Sequence, residues 1–226
     1  MYKASGMRMS EFPQCFRDGT VIPKKGFKVI AKGKYNRVPI ILGSSTSEFS
    51  KYGYWLNSSI SVPANLYGSK IQAYSYVEKP AKELAKDKKH KNIYGFRFGW
   101  GENPKVTSSY IAREVGADHG SAVNFLLGSY VCRYDYLQNS MYKKSNLEGR
   151  EALTKKMKKY VKHFLRQGTP GGKWKQWKKS KKVKKMIVFN ASNKKTKIHM
   201  TSKTIQLKKV LKNMKQSLSQ YIYITS

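Results

Sequence analysis

Apolar positions cluster along this chain at a few places with a period that predicts structure. Val38-Pro39-Ile40-Ile41-Leu42-Gly43 is a short, almost wholly apolar run closed by glycine. That pattern predicts a strand buried on both faces, as in a parallel sheet covered by helices. Pro39 has no N–H to give and so belongs at the strand start. In Ile93-Tyr94-Gly95-Phe96-Arg97-Phe98-Gly99-Trp100 the aromatics at 94, 96, 98 and 100 share one face by the two-residue period of a strand. The stretch from Pro80 to Lys91 is lysine-rich and helical by propensity, so this part of the chain reads strand, helix, strand. Met186-Ile187-Val188-Phe189 predicts a late strand, with Lys197-Ile198-His199-Met200 as its hairpin partner.

The clearest helix lies between the second and third strands. Leu153, Met157, Tyr160, Val161, Phe164 and Leu165 form a stripe at helical spacing, with lysines on the opposite face. Gly168 and then Pro170 stop it. Residues 1–30 carry turn signals, Asp18-Gly19 and Pro23 among them, and predict irregular structure ahead of the first strand. With no internal repeat and no linker composition, the expected architecture is one α/β unit.

Composition changes this picture in one respect. The 226 residues hold 46 Lys+Arg against 12 Asp+Glu, a formal charge of +34, and a field of that size draws any polyanion at low salt. The segment 141–226 contains 25 of those cations and only two acids, Glu148 and Glu151. The excess is lysine: arginine, the residue of bidentate phosphate contacts, stands at eight positions. A lysine habit of the source organism explains such a spread. Nonspecific polyanion binding through the Lys-rich 143–185 region stays open beside it, with Lys173-Trp174-Lys175-Gln176-Trp177-Lys178-Lys179 interleaving aromatics and charge as stacking platforms do. Cys15 and Cys132 lie far apart with no metal-ligand spacing, so no metal site or disulfide framework is expected, and no cofactor either. No apolar run approaches the roughly 18 residues of a membrane span. No apolar stretch of signal-peptide type stands near residue 1, which leaves the cytoplasm as the default compartment.

Of four histidines, His90 sits in a lysine run, His163 on the basic side of the long helix and His199 in the late strand. His119 differs: it lies in Gly116-Ala117-Asp118-His119-Gly120-Ser121, where small residues let the backbone approach a ligand closely. Glu48 follows the first buried strand in Gly43-Ser44-Ser45-Thr46-Ser47-Glu48. Loops at the carboxyl ends of parallel strands gather catalytic groups, and a carboxylate there can fix the tautomer of a histidine and stabilise its imidazolium.

In this arrangement the chain resembles the type-B carboxylesterase family (para-nitrobenzyl esterase-like). The resemblance rests on Phe16-Arg17-Asp18-Gly19-Thr20-Val21-Ile22-Pro23, on 33–43 leading to Glu48, on Tyr94 to Trp100, on Gly116 to Gly120, and on Asn146 to Phe164 with Gly168-Thr169-Pro170. It implies the C-terminal part of an α/β-hydrolase fold with an incomplete sheet, residues 1–11 and 206–226 being peripheral extensions. It implies Glu48 as catalytic acid and His119 as catalytic base of a serine esterase. The nucleophile is not among these residues: no Gly-x-Ser-x-Gly elbow occurs, and no His-Gly-Gly run for an oxyanion hole. An ester substrate is therefore expected only when an N-terminal hydrolase segment completes the site, and the chain alone is expected to be inactive. Two features depart from the family: Glu48 and His119 are only 71 residues apart, and Asp118 sets a carboxylate beside the histidine, where it would favour the protonated ring if it faced it.

Overall fold

The computed structural model describes residues 17–50, 58–132, 134–178, 180 and 185–225. Ile40–Ser45 forms β1, Ile93–Phe98 β2, Met186–Phe189 β3 and His199–Thr201 β4. They make one open sheet in the order β1-β2-β3-β4, in which the first three run parallel and β4 returns antiparallel to β3. This is the mostly parallel α/β sheet with a late hairpin that the apolar pattern predicts. β1 starts two residues into the apolar run and continues past it into Ser44 and Ser45. The reason is Pro39, which cannot donate: the first ladder bond is Ile40 N–H to the Asn92 carbonyl, at 2.9 Å.

Between β1 and β2 the chain runs through α1 (Ser58–Ala73), a π-helical turn at Tyr74–Glu78 and α2 (Lys79–Leu84). The expected helix over 80–91 therefore ends at Leu84. Its second half is claimed by Asp87, whose carboxylate accepts the Lys89 N–H at 3.0 Å and the Arg37 guanidinium at 2.6 Å. A side chain bonding its own local backbone is a standing competitor to helix. α1 escapes the periodicity reading because it contains Pro63, four serines and Gly68 in place of a clean stripe. After β2 come α3 (Ser121–Leu127) and α4 (Leu147–Gln167). α4 is the helix foreseen from the stripe and closes at Gly168, which sits at φ +68° as a left-handed cap. Leu165 is the one stripe residue left outside, 77% exposed.

The strand alternation of β2 divides the interior. On one side Tyr94, Phe98 and Trp100 pack with Phe125 of α3, Leu153 and Met157 of α4, and Ile187 and Phe189 of β3. On the other, Ile93 packs with Val77, Ala81 and Leu84 of the α1–α2 path. Trp174 and Trp177 are both buried. Trp174 donates its indole N–H to the Gly95 carbonyl at 3.1 Å and stands edge-on to Tyr94, Phe96, Tyr160 and Phe189, while the Trp177 backbone N–H binds the Ile93 carbonyl at 2.7 Å. The interleaved Lys/Trp segment thus supplies core aromatics, not stacking platforms for bases, which corrects that expectation. The five α4 lysines at 155, 156, 158, 159 and 162 face solvent.

One ion pair crosses these layers. Arg97 on β2 meets Glu78 in the π-helical turn at 2.6 Å, with the carboxylate nearly sealed from water, and the second carboxylate oxygen accepts the Ile205 N–H at 2.8 Å. Ile205 leads into α5 (Leu207–Thr225), which lies along α1, where the Tyr67 and Ser217 hydroxyls are 2.9 Å apart. Removing one member of such a pair strands the other in a poorly solvated site. Arg97→Ala is expected to lower unfolding free energy by about 3 kcal/mol in urea titration. A loss under about 1 kcal/mol would show that the pair behaves like an exposed one.

Candidate active site

The parallel register of β1 on β2 sets Ser45 opposite Phe98, so the two strands end level and their following loops share one crest. Beyond the sheet the Thr46 N–H binds the Phe98 carbonyl at 2.9 Å. The Ser47 N–H then binds the Ala117 carbonyl at 3.0 Å, and Ser47 forms a parallel bridge with Asp118. That bridge brings the loop of Glu48 against the loop of His119, 71 residues later.

The second loop is delivered by a π-helical turn at Ile111–Val115, closed by a 2.7 Å bond from the Gly116 N–H to the Ile111 carbonyl. Gly116 takes φ +60°, and a Cβ there would stand 2.3 Å from the Ser47 hydroxyl. Conformation and close approach both demand glycine at this position. The small residues noticed before His119 are therefore a packing requirement of the two loops.

The structure brings the two sequence candidates together. His119 Nδ1 lies 2.5 Å from Glu48 Oε2. Glu48 Oε1 accepts the Ser45 N–H at 2.6 Å, so both carboxylate oxygens are engaged and the side chain is only 11% exposed. An N–H at Nδ1 toward the carboxylate leaves the lone pair on Nε2, the tautomer a general base requires. His119 is 46% exposed, and among the described residues its Nε2 has no hydrogen-bond partner. The other histidines are placed as their contexts suggested: His90 is buried between the Tyr35 hydroxyl and the Val38 carbonyl, and His163 binds the Thr169 carbonyl. Cys15 lies outside the described residues.

A cleft of about 260 Å³ opens beside His119 between α3 and the 131–142 segment, with Asp118, Asn124, Cys132 and Tyr142 on its walls. Asp118 is buried, and its charge is felt at Cys132 and Tyr142. Burial, with Asp118 and Asp135 adding to it, raises the Cys132 pKa. The ring of Tyr142 stacks on Trp100 at 5.6 Å, and the Arg150 guanidinium lies 5.2 Å from its centroid. Among the described residues no three His, Cys, Asp or Glu side chains cluster as metal ligands, and no helix is long and apolar enough to cross a membrane.

Sequence reasoning missed one member of the crest. The Ser47 hydroxyl donates to Glu102 Oε1 at 3.2 Å, and Glu102 follows the end of β2 with nothing in its local pattern to mark it.

No protein-family model matches the chain, and no curated protein does. Solved structures do. A carboxylesterase of Geobacillus stearothermophilus superposes with a TM-score of 0.51 at 17% identity, over 85% of this chain and 45% of that one. A PNB esterase matches at 0.46 and 16%, over 77% and 38%. An esterase of Clostridium hathewayi described as hydrolysing aliphatic aromatic polyesters matches at 0.45 and 14%, over 79% and 38%. The chain spans less than half the length of these structures. The open four-stranded sheet of the described residues and its flanking helices share their fold with part of the Geobacillus stearothermophilus carboxylesterase.

Burial pushes the Tyr142 phenol up to about 12 from its ordinary 10.0. A folded-state value above the unfolded one means a contribution to stability that is whole below pH 10 and lost as pH climbs through about 12. The Tyr142→Phe protein is expected to keep up to about 3 kcal/mol more of its neutral-pH stability across that window than the parent does, read by urea unfolding at both ends.

Proposed function

We propose that this chain supplies the acid and the base of a Ser-Glu-His triad in a carboxylic-ester hydrolase, with the serine and the oxyanion donors contributed by a segment outside these residues. The observation that carries the reading is the 2.5 Å contact between His119 Nδ1 and Glu48 Oε2 at the carboxyl ends of parallel strands. In the completed site, His119 Nε2 takes the proton of the serine hydroxyl as its oxygen attacks the ester carbonyl carbon. The resulting imidazolium returns that proton to the departing alkoxide, leaving an acyl-serine. Water, deprotonated at the same nitrogen, attacks the acyl carbon; the bond to the serine oxygen breaks, the imidazolium returns the proton to that oxygen, and the carboxylic acid leaves. Glu48 holds the ring in the required tautomer and stabilises its charged form while keeping its own charge. Without a nucleophile and oxyanion donors a base has nothing to activate.

p-Nitrophenyl acetate hydrolysis tests this. The chain alone is expected to turn over no faster than its His119→Ala variant. Co-expressed with a polypeptide carrying a nucleophile elbow and an oxyanion loop, it is expected to gain serine-dependent activity that falls by about 10³ to 10⁴ in His119→Ala or Glu48→Gln. Serine-dependent turnover by the chain alone, or reconstituted activity indifferent to both substitutions, would remove the proposal.

A second reading rests on the outer face of α4. Lys159, Lys162 and Arg166, with His163, Gln167 and Thr169, line an open cleft of about 600 Å³, and among the described residues none of these three cations is in an ion pair. A phosphate chain lying there would release counterions on binding. Replacing the three by alanine is expected to flatten the dependence of log affinity on log salt for a single-stranded oligonucleotide by about 2. An unchanged slope would make the attraction a property of total charge alone.

A further inference from the structure

We infer that Ser47 and Glu102 form a clamp that positions the Glu48–His119 pair, making Glu102 a positioning residue of the site; this rests on the esterase reading above for its purpose, though not for its geometry. Just beyond Glu48 the acid loop is tied to α1, where the Phe49 N–H donates to the Ser69 hydroxyl at 2.9 Å; the segment before Glu48 is held differently. Of its hydroxyls, those of Ser44 and Ser50 are buried and have no hydrogen-bond partner among the described residues. Thr46 is tied to the strand beneath it, its hydroxyl 3.2 Å from the Phe98 carbonyl.

Ser47 alone among these reaches both neighbouring loops. Its N–H takes the Ala117 carbonyl, two residues before His119, and its O–H takes Glu102 Oε1. The side chain of Glu102 leans back over the crest to allow this. Cβ atoms built at two glycines locate it: at Gly116 such an atom would meet the Ser47 hydroxyl at 2.3 Å and Glu102 Cγ at 3.5 Å, and at Gly99 it would meet Glu102 Oε2 at 3.5 Å and the Thr46 hydroxyl at 3.7 Å. Both distances to Glu102 are ordinary van der Waals contact, so they place its side chain beside these two glycines without requiring glycine for its sake. Gly101, just before Glu102, is held in turn against the Gly116 carbonyl, where a Cβ would come within 2.4 Å.

The peptide unit after Ser47 carries Glu48. Fixing the Ser47 side chain against Glu102 fixes the direction in which that peptide leaves the bridge to the histidine loop. At 3.2 Å this is a long hydrogen bond to a carboxylate on an exposed residue, and the role asks only for an acceptor oxygen at this place. A glutamine would therefore serve and an alanine would not.

The test reads the Glu48–His119 contact directly in the isolated, isotope-labelled chain, with no substrate and no second polypeptide. A proton held between imidazole Nδ1 and a carboxylate at 2.5 Å gives a ¹H resonance well downfield of the backbone amides, assigned by its disappearance in His119→Ala. The resonance is expected to be lost to solvent exchange in Glu102→Ala and in Ser47→Ala, retained in Glu102→Gln, and no further changed in the double alanine variant. The ring signals of His90, which is fixed elsewhere by Tyr35 and Val38, stay in place in every variant and report that the chain is folded. A resonance that survives Glu102→Ala, or one lost equally in Glu102→Gln, overturns the clamp. Failure to reconstitute ester hydrolysis while the resonance follows the expected pattern would count against the esterase reading and leave the clamp standing.

Discussion

The hydrogen bond from the Ser47 N–H to the Ala117 carbonyl lies one step beyond the last ladder bond of β1 and β2, and the site depends on it. It continues the parallel register past the end of the sheet, joining two loops that sequence separates by 71 residues. Everything near it is arranged so that two backbones can come this close. Gly116 gives up its side chain, the π-helical turn before it sets the angle of approach, and the buried serines of β1 are small enough to let the crest close. Parallel strands separated by a crossover cannot be aligned by a tight turn, so their register is held by packing on both faces.

That packing is unusually aromatic on one side. Tyr94, Phe96, Phe98, Trp100, Phe125, Trp174 and Phe189 meet in edge-on or tilted pairs around β2. Large flat rings bury much area for little lost rotational freedom, which suits a sheet of only four strands. The opposite side is thinner and depends on the Glu78–Arg97 pair, which anchors the segment leading to the last helix as well as the sheet. Glu48, Asp118, Arg150 and Lys185 are buried as well, away from this pair.

Much of this was legible in the residues. An apolar run closed by glycine, alternating aromatics and a stripe at helical spacing each reflect one dominant contact surface, and β1, β2 and α4 follow them closely. His119 in its small-residue loop and Glu48 after a buried strand are candidates from their neighbours, and the resemblance in motif order joins them as a pair. Other features resist such reading for physical reasons. α1 buries itself with serines, a glycine and a proline, which carry no periodic signal. The helix ending at Leu84 is cut short by Arg37, far away in sequence, holding Asp87 in its turn. Trp174 and Trp177 look like a charged aromatic surface because their neighbours are lysines, yet the backbone turns both rings inward. Glu102 is a lone acid in a loop, and only folding places it over two glycines.

Among the described residues β1 pairs with a strand on one side only. Its Ile40 and Thr46 N–H groups point to β2, so by alternation the peptides of Ile41 and Gly43 face outward, and among the described residues no strand lies there. An uncovered edge of this kind invites a like edge from another molecule. Two such molecules carry +34 each, and their mutual repulsion acts over a screening distance of about 8 Å at physiological ionic strength and about 3 Å at 1 M salt. The lysine excess thereby becomes a colloidal property: it holds open edges apart in dilute electrolyte and ceases to do so in brine, so the same residues that crowd α4 set the conditions under which this chain stays dispersed.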